Sequence, residues 1–163
     1  MMGVLACFCA LLLLGSAMHK ILSRERMLGA VRQLTGTTTV TALLLLVIAG
    51  VVEIFAGLAL LIAPLQVVGA VAAALLWTGY ALALARRLGR SVDCGCDLIA
   101  KAKPVDAAAV ARPALLAVVV LLTLLSPERA WSLETPFAAV ALLALYIGAS
   151  ELLAIPRPHW RHA

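Results

Sequence analysis

Charged side chains are scarce in this sequence: only 13% of its 163 residues are Asp, Glu, Lys or Arg. A soluble domain of this size carries about 25% charged residues. Hydrophobic residues make up 64% of the chain, which leaves too few polar side chains to cover a water-soluble surface. The shortage of charge therefore excludes an ordinary soluble domain and predicts that the lipid bilayer is part of the protein's solvent.

Aromatic residues are also few, at 5%, and this bears on the net charge of +5. A basic chain can bind nucleic acid, but here the basic residues lie in short clusters between apolar runs, without regular aromatic spacing. Such clusters are typical of the cytoplasmic ends of membrane helices. We therefore expect the bilayer as a partner and no nucleic acid.

Cysteine is rare as well. The four cysteines form two pairs, Cys7/Cys9 and Cys94/Cys96. Four are too few to be the disulfide framework of a chain of this length. Their pairing, rather than their number, is the informative feature.

Long apolar runs, separated by prolines and basic clusters, make up most of the sequence. They predict an all-α polytopic membrane protein, a single membrane domain over residues 1–163, with five transmembrane helices, four of them in a core bundle. The first run ends in small residues that resemble a signal-peptide cleavage site, but no basic segment precedes it, so we expect a retained helix. The predicted spans cover residues 3–20, 40–63, 66–85, 104–126 and 136–155.

The connections between these spans set the expected helix ends. Residues 23–39 are expected to form a polar connection whose threonines cap the second span. Pro104 suits the first turn of the fourth span, with Asp106 in the same turn, and Pro113 is expected to kink that helix.

The basic residues are distributed unequally between the two sides of this topology. With five spans, all of the 13 lysines and arginines except Arg129 fall on one side. The positive-inside rule then predicts a multi-pass membrane protein with the N-terminus outside. The loop of residues 86–103 and the C-terminus are expected on the cytoplasmic side.

That loop contains Cys94-Gly95-Cys96, the most reactive stretch of the chain. A disulfide between residues two apart closes a small, strained ring, which Gly95 allows, and a strained disulfide is easily reduced. The thiolate is the attacking species. Arg86, Arg87, Arg90 and Lys101 favour it, whereas Asp93 and Asp97 disfavour it.

Two other interpretations of the Cys-Gly-Cys loop stay open. Two thiolates supply half of a tetrahedral zinc site, or a linear site for a softer ion such as copper or mercury. Asp93, Asp97 or His19 could then supply further ligands. The simpler alternative is a pair of loop cysteines without chemistry.

The other cysteine pair lies inside the first span. Residues two apart point to opposite faces of a helix. Cys9 shares its stripe with Ser16 and Lys20, so Cys9 is the candidate functional thiol, and Cys7 is expected to face lipid.

Glu53 is the most costly residue in the apolar runs. An acid near the middle of a span costs about 2.5–3.5 kcal/mol on insertion scales, so it should face the bundle interior. Gly50 and Gly57 lie on its face of the helix, where small residues allow close helix approach. A proton carrier, a partner for a cation and an interhelical hydrogen bond are all consistent with Glu53. Glu151 lies nearer a charged end and could extend towards the headgroups.

The large aromatic side chains are expected to anchor the protein at the membrane interfaces. They are Trp77, Tyr80, Trp131 and Trp160.

Several features of the chain occur together in one known family: Met18-His19-Lys20 at the end of the first span, Glu53 with Gly57-Leu58-Ala59-Leu60, Arg86-Arg87-Leu88-Gly89-Arg90 leading into Asp93-Cys94-Gly95-Cys96, and Arg112. On these residues the chain resembles the MauE family of methylamine-utilisation membrane proteins, in the wider DoxX-like group. It differs from the family pattern in Asp97-Leu98, where Phe-Gly usually follows the Cys-Gly-Cys, and in Pro113, where Asn is favoured.

The resemblance implies a thiol–disulfide redox protein of the bacterial inner membrane that supports disulfide formation or maturation of an exported partner. In the methylamine system the partner is the disulfide-rich small subunit of methylamine dehydrogenase, and a thioredoxin-like redox protein takes part. The sequence fixes no cofactor, and a quinone is suggested only by analogy with quinone-linked disulfide-forming bundles. Whether the protein is itself an enzyme, a thiol–disulfide oxidoreductase, is left open.

The expected site follows from the residues and the resemblance together. Cys94 and Cys96 are the expected catalytic pair, with Cys9 as a further candidate. Soft-metal binding or transport by the same thiols, and a non-catalytic membrane subunit of a larger complex, are the alternatives. The expected supporting residues are Lys20, Glu53, Arg90, Asp93, Gly95 and Arg112.

Overall fold

The apolar runs form helices of membrane length in a computed structural model of the protein, which describes residues 2–92, 103–125 and 132–154. Within these described ranges, five helical segments are long and apolar enough to cross a membrane. This confirms the all-α fold and the five membrane-length helices. The elements are α1 (Met2–Leu22), α2 (Arg24–Thr35), α3 (Thr39–Leu61), α4 (Gln66–Ala85), β1 (Ser91–Val92), β2 (Lys103–Pro104), α5 (Ala107–Leu122) and α6 (Glu134–Ala154), with short 3-10 turns at Ala63–Leu65 and Thr123–Leu125.

Four of the long helices, α1, α3, α4 and α5, surround a common core, and α6 packs on the outside against α1. Alanines fill much of this core, together with a few larger side chains such as Leu13, Leu60, Trp77 and Val120. Large apolar side chains on the outer helix faces are exposed, for example Val51 and Phe55 on α3. An apolar surface of this extent suits contact with lipid rather than with water.

Two glycines allow the helices of the bundle to approach closely. A Cβ atom on Gly57 would lie 2.9 Å from Cγ of Leu14, so α1 and α3 touch at this point. A Cβ atom on Gly69 would lie 2.8 Å from the backbone nitrogen of Leu60, which closes the α3–α4 hairpin. Gly50, expected at the same contact as Gly57, instead faces open space.

The segment expected to be a polar connection contains a helix, α2. Its Met27 and Ala30 are buried, and the helix packs against α3, while Arg24 and Arg32 are exposed. Gly36 ends the helix in a left-handed conformation, with φ of 72°, and its N–H donates to the Arg32 carbonyl. The arginines make this segment polar on average, so its short apolar face is not evident from the sequence. The connection was therefore predicted without a helix.

The fourth span begins later than predicted. Pro104 belongs to β2, and Asp106 is the residue that caps α5: its Oδ1 accepts a 2.8 Å hydrogen bond from the Ala109 N–H. An N-cap carboxylate accepts from a free N–H of the first turn, so α5 begins directly after Asp106. The expectation that Pro104 lies in the first turn of this helix is therefore wrong. Pro113 lies inside α5, as expected.

Candidate functional site

Glu53 lies inside the helix bundle, with only 1% of its surface exposed. It follows Thr39 by 14 residues and precedes Leu61 by eight, so it lies about 21 Å and 12 Å from the two ends of α3. Its carboxylate is therefore within the body of an apolar span, where an uncompensated charge is strongly unfavourable. The sequence-based expectation that Glu53 faces the bundle is confirmed.

Lys20 supplies the opposite charge. Its Nζ lies 2.6 Å from Glu53 Oε1 and 2.8 Å from Ser16 Oγ. Side chains on an α-helix lean towards its N-terminus, and this direction carries the Lys20 ammonium from the last turn of α1 back into the bundle. The pair has no net charge, which lowers the cost of placing Glu53 in the membrane.

Two hydroxyl groups complete the arrangement around the same carboxylate oxygen. Ser16 Oγ and Tyr80 OH each donate to Glu53 Oε1 over 3.0 Å. The Lys20 ammonium also lies 5.5 Å from the centroid of the Tyr80 ring, within the range of a cation–π interaction. We call Ser16, Lys20, Glu53 and Tyr80 the Glu53 cluster; it joins α1, α3 and α4.

Hydrogen bonding within this region is uneven. Oε1 of Glu53 accepts three donors, whereas Oε2 is buried and accepts none. Among the described residues, Nε2 of His19 is the other buried side-chain atom without a partner. The cluster therefore has one saturated oxygen and one with its acceptor capacity unused.

Tyr80 and Trp77 differ from the prediction. Both were expected at the membrane interface, but Trp77 is buried in the core and Tyr80 binds Glu53. The contact between Tyr80 and Glu53 has no local sequence signal, since the two residues lie on different helices. The burial of Trp77 likewise depends on how the helices pack. The other two expected anchors, Trp131 and Trp160, lie outside the described residues.

The cysteines of α1 are buried together. Cys9 has no exposed surface and Cys7 has 6%, so the expectation that Cys7 faces lipid is wrong. Both cysteines belong to the same core cluster, and α1 contacts α3, α5 and α6, so thiols on two faces of α1 are buried. Cys9 lies on the stripe of Ser16, but seven residues away, about 10 Å along the axis. Both cysteines are free, and neither hydrogen-bonds to the Glu53 cluster in the described structure.

The base of the Cys-Gly-Cys loop is a small backbone clasp between α4 and α5. β1 pairs with β2 in antiparallel fashion, Ser91 opposite Pro104 and Val92 opposite Lys103. Two further hydrogen bonds extend it: Gly89 N–H to the Val105 carbonyl, 2.9 Å, and Val105 N–H to the Arg90 carbonyl, 3.0 Å. Gly89 has a φ of 75°, which favours glycine at this turn.

The residues of the predicted catalytic motif follow this clasp in the sequence. Asp93, Cys94, Gly95 and Cys96 lie outside the described residues, and so does Asp97. Arg90 is exposed at the base. Among the described residues no group of three or more His, Cys, Asp or Glu side chains could hold a metal ion.

Two arginines join elements around the bundle. Arg87 donates through Nε to the Leu34 carbonyl over 2.8 Å and so connects the ends of α4 and α2. Arg112 donates to the Ser150 carbonyl over 3.3 Å and connects α5 to α6. Arg112 is one of the residues that match the resembled family. The role of Arg87 was not predicted, because a hydrogen bond from a side chain to a distant backbone carbonyl cannot be recognised from the sequence.

Comparison with known proteins identifies the family. A profile described as "Methylamine utilisation protein MauE" matches residues 1–126, which include α1 to α4, the Cys-Gly-Cys loop and α5. No curated protein and no solved structure matches the chain significantly. The matched region contains the whole Glu53 cluster, the clasp and, between the two strands of the clasp in the sequence, the Cys-Gly-Cys residues. The chain belongs to the MauE family of multi-pass membrane proteins, which is linked to methylamine utilisation.

Proposed function

We propose that the protein is a membrane thiol–disulfide redox protein that uses Cys94 and Cys96 to support disulfide formation in, or maturation of, an exported partner protein. The main supporting observation is the clasp of β1 and β2, which joins both ends of the cysteine-bearing loop to the bundle. Membership of the MauE family agrees with this proposal, because the family is linked to methylamine utilisation. The maturing partner in the methylamine system, as the resemblance implies, is the small subunit of methylamine dehydrogenase.

The proposed chemistry is thiol–disulfide exchange, in which two electrons pass between two cysteine pairs. A thiolate of the reduced pair attacks the disulfide of the other pair and forms a mixed disulfide, releasing one thiolate. The second thiolate of the attacking pair then displaces the remaining sulfur. One pair ends as a disulfide and the other as two thiols, so no further oxidant is required within the exchange itself.

The Glu53 cluster supports this reaction at a distance. Tyr80 lies five residues before the end of α4, about 8 Å along its axis, and α4 leads directly into the clasp. The bonds from Tyr80 and Lys20 to Glu53 fix α4 against α1 and α3. Glu53, Lys20 and Arg90 are therefore proposed as positioning residues, and Arg112 as a link that holds α6 on α5.

The proposed setting is the inner membrane of a bacterium, with the Cys-Gly-Cys loop and the C-terminus in the cytoplasm and the N-terminus outside. The clustering of Arg86, Arg87 and Arg90 beside the clasp supports this orientation. Because disulfides form outside the cytoplasm, electrons would then have to cross the bundle. Cys9, buried in α1, is the candidate relay thiol, and a thioredoxin-like protein is the proposed redox partner.

Thiol trapping on single-cysteine and paired-cysteine variants tests this function. Intact and lysed cells are treated with a membrane-impermeant maleimide, and Cys94 and Cys96 are compared with a cysteine-free chain. We expect labelling only after lysis, loss of labelling of the Cys94/Cys96 pair on oxidation, and accumulation of the partner in its reduced form when either cysteine is replaced by serine.

Three results would change the proposal. Labelling from outside would reverse the orientation and favour direct oxidation of exported proteins. Labelling that ignores redox state but is blocked by zinc or copper would replace thiol exchange with metal binding. Co-purification of a partner, unaffected by serine at both positions, would indicate a non-catalytic subunit.

A further inference from the structure

Exposed arginines surround the end of the bundle at which α4 finishes. Arg86 and Arg90 follow α4, and Arg32 lies in the last turn of α2; all three side chains are exposed. The bond from Arg87 Nε to the Leu34 carbonyl holds the end of α2 beside the end of α4. A Cβ on Gly36 would lie 3.1 Å from the Arg87 guanidinium, which shows how closely the C-terminal ends of α2 and α4 approach each other. We call Arg32, Arg86 and Arg90 the arginine surface.

The helix that carries Arg32 has the features of a helix at a membrane surface. α2 turns Met27 and Ala30 inwards against α3 and exposes Arg24 and Arg32. Helices with one apolar and one basic face lie at the boundary between headgroups and acyl chains. Glu25 is the one acidic residue of α2, so the helix keeps a positive charge.

Exposed apolar side chains occur in the same segments of the chain as these arginines. Leu88 stands between Arg86 and Arg90 in the sequence and is 52% exposed, and Leu22 and Val40, which flank the α2 segment, are 76% and 78% exposed. A surface that offers guanidinium groups beside large apolar side chains matches a phospholipid, which offers a phosphate beside acyl chains. An acidic soluble protein would match the arginines but would leave these apolar groups without a counterpart.

We propose that the arginine surface is a binding site for anionic phospholipid headgroups, of the phosphatidylglycerol class. Guanidinium groups bind phosphate oxygens in a bidentate geometry, and Arg87, already bonded to Leu34, sets the spacing between α2 and the α4 end. The site shares Arg90 with the positioning residues proposed above, but lipid binding itself does not use the thiols. Its occupation fixes α2 and the base of the Cys-Gly-Cys loop at the height of the headgroups.

The full chain, reconstituted into phosphatidylcholine membranes, tests this site with spin-labelled phosphatidylglycerol and spin-labelled phosphatidylcholine as probes. Electron paramagnetic resonance gives the fraction of each probe immobilised by the protein. We expect phosphatidylglycerol to associate at least about five-fold more strongly, the factor that corresponds to one arginine near an anionic surface. The preference should fall markedly at about 1 M salt, where the Debye length is only about 3 Å.

The variant Arg32→Gln/Arg86→Gln/Arg90→Gln should lose most of this preference. The matched control is Arg129→Gln, which removes a basic residue between α5 and α6, and should retain it. Each single glutamine variant should lower the preference by itself, so the test does not depend on the folding of the triple variant. Equal association of the two probes with the natural chain, or an unchanged preference in the triple variant, overturns the proposal. The proposal is also overturned if the same variants lose binding of an acidic soluble protein while their association with phosphatidylglycerol is unchanged.

Discussion

Lys20 and Glu53 form an ion pair inside the helix bundle, with 2.6 Å between the ammonium nitrogen and one carboxylate oxygen, although 33 residues separate them in the chain. The pair joins the end of α1 to the middle of α3, and Tyr80 extends the connection to α4. Three of the four core helices therefore meet at one oxygen atom. The stability of the bundle should depend on the balance of charge at this point.

Replacement of Lys20 by methionine tests that dependence. It leaves the Glu53 carboxylate buried without its counter-charge, so we expect the free energy of unfolding to fall by about 3–5 kcal/mol. Denaturant titration in detergent micelles, followed by tryptophan fluorescence, measures the change. The double variant Lys20→Met/Glu53→Gln should recover much of the loss, because it removes both charges. Equal stability of Lys20→Met and the natural chain would show that the ion pair does not contribute to the free energy of unfolding.

Replacement of Tyr80 by phenylalanine should have a smaller effect. It removes one hydrogen bond to Glu53 and keeps the aromatic ring near Lys20, so we expect a loss of about 1 kcal/mol. The same titration applies, with Ser16→Ala as the comparison. Because both hydroxyls donate to the same oxygen, the double variant should depart from the sum of the single losses. Strict additivity would argue against a shared acceptor.

Gly57 and Gly50 offer a matched pair of substitutions on one helix. Gly57→Val places carbon atoms within about 3 Å of Leu14 and forces α1 away from α3, with an expected loss of about 1–3 kcal/mol. Gly50→Val meets open space and adds apolar surface towards lipid, so its stability should stay within about 0.5 kcal/mol of the natural chain. The titration described for Lys20 measures both. Similar losses at the two positions would contradict the close approach at Gly57.

Asp106 should control the start of α5. Asp106→Ala removes the acceptor for the Ala109 N–H and is expected to cost about 1 kcal/mol, whereas Asp106→Asn keeps an acceptor and should cost less. Hydrogen exchange at the amides of residues 107–110 measures the fraying directly. Unchanged protection in the alanine variant would show that the clasp alone holds this helix end.

The cysteines of α1 should react slowly with reagents in the folded protein. Cys9 has no exposed surface, so a single-cysteine variant that keeps it should react with a membrane-permeant maleimide much more slowly than after denaturation. The comparison is a variant in which exposed Ser132 becomes cysteine and all other cysteines are removed. Labelling of Cys9 as fast as that of this comparison would contradict its burial, whereas complete protection in the native state would argue against a relay through Cys9.

The fold could be predicted from sequence because its signals are local. A run of apolar residues longer than a bilayer is thick needs no partner to be identified, and the cost of a charge in such a run already predicts that Glu53 faces inwards. The contacts of the site are different. That Lys20 and Tyr80, rather than other residues, reach Glu53 depends on the vertical register of three helices, which composition does not encode.

The errors have the same origin. α2 was overlooked because its apolar face is short and because the contact of α2 with α3, which buries Met27 and Ala30, is not evident from the sequence. Cys7 was assigned to lipid from helix angles alone, whereas α1 contacts the helices α3, α5 and α6, and both Cys7 and Cys9 are buried. Asp106 and Pro104 are both acceptable near a helix start, and the pairing of β1 with β2 decides between them.

The clasp of β1 and β2 also restricts how a partner protein could meet the cysteine pair under the proposed function. Residues 93–102, which contain the Cys-Gly-Cys sequence, begin and end at residues that pair with each other, Val92 and Lys103. The chain continues from these two residues into α4 and α5, both helices of membrane length. A partner that exchanges thiols with Cys94 and Cys96 would therefore have to present its own cysteine pair at its surface, close to the membrane.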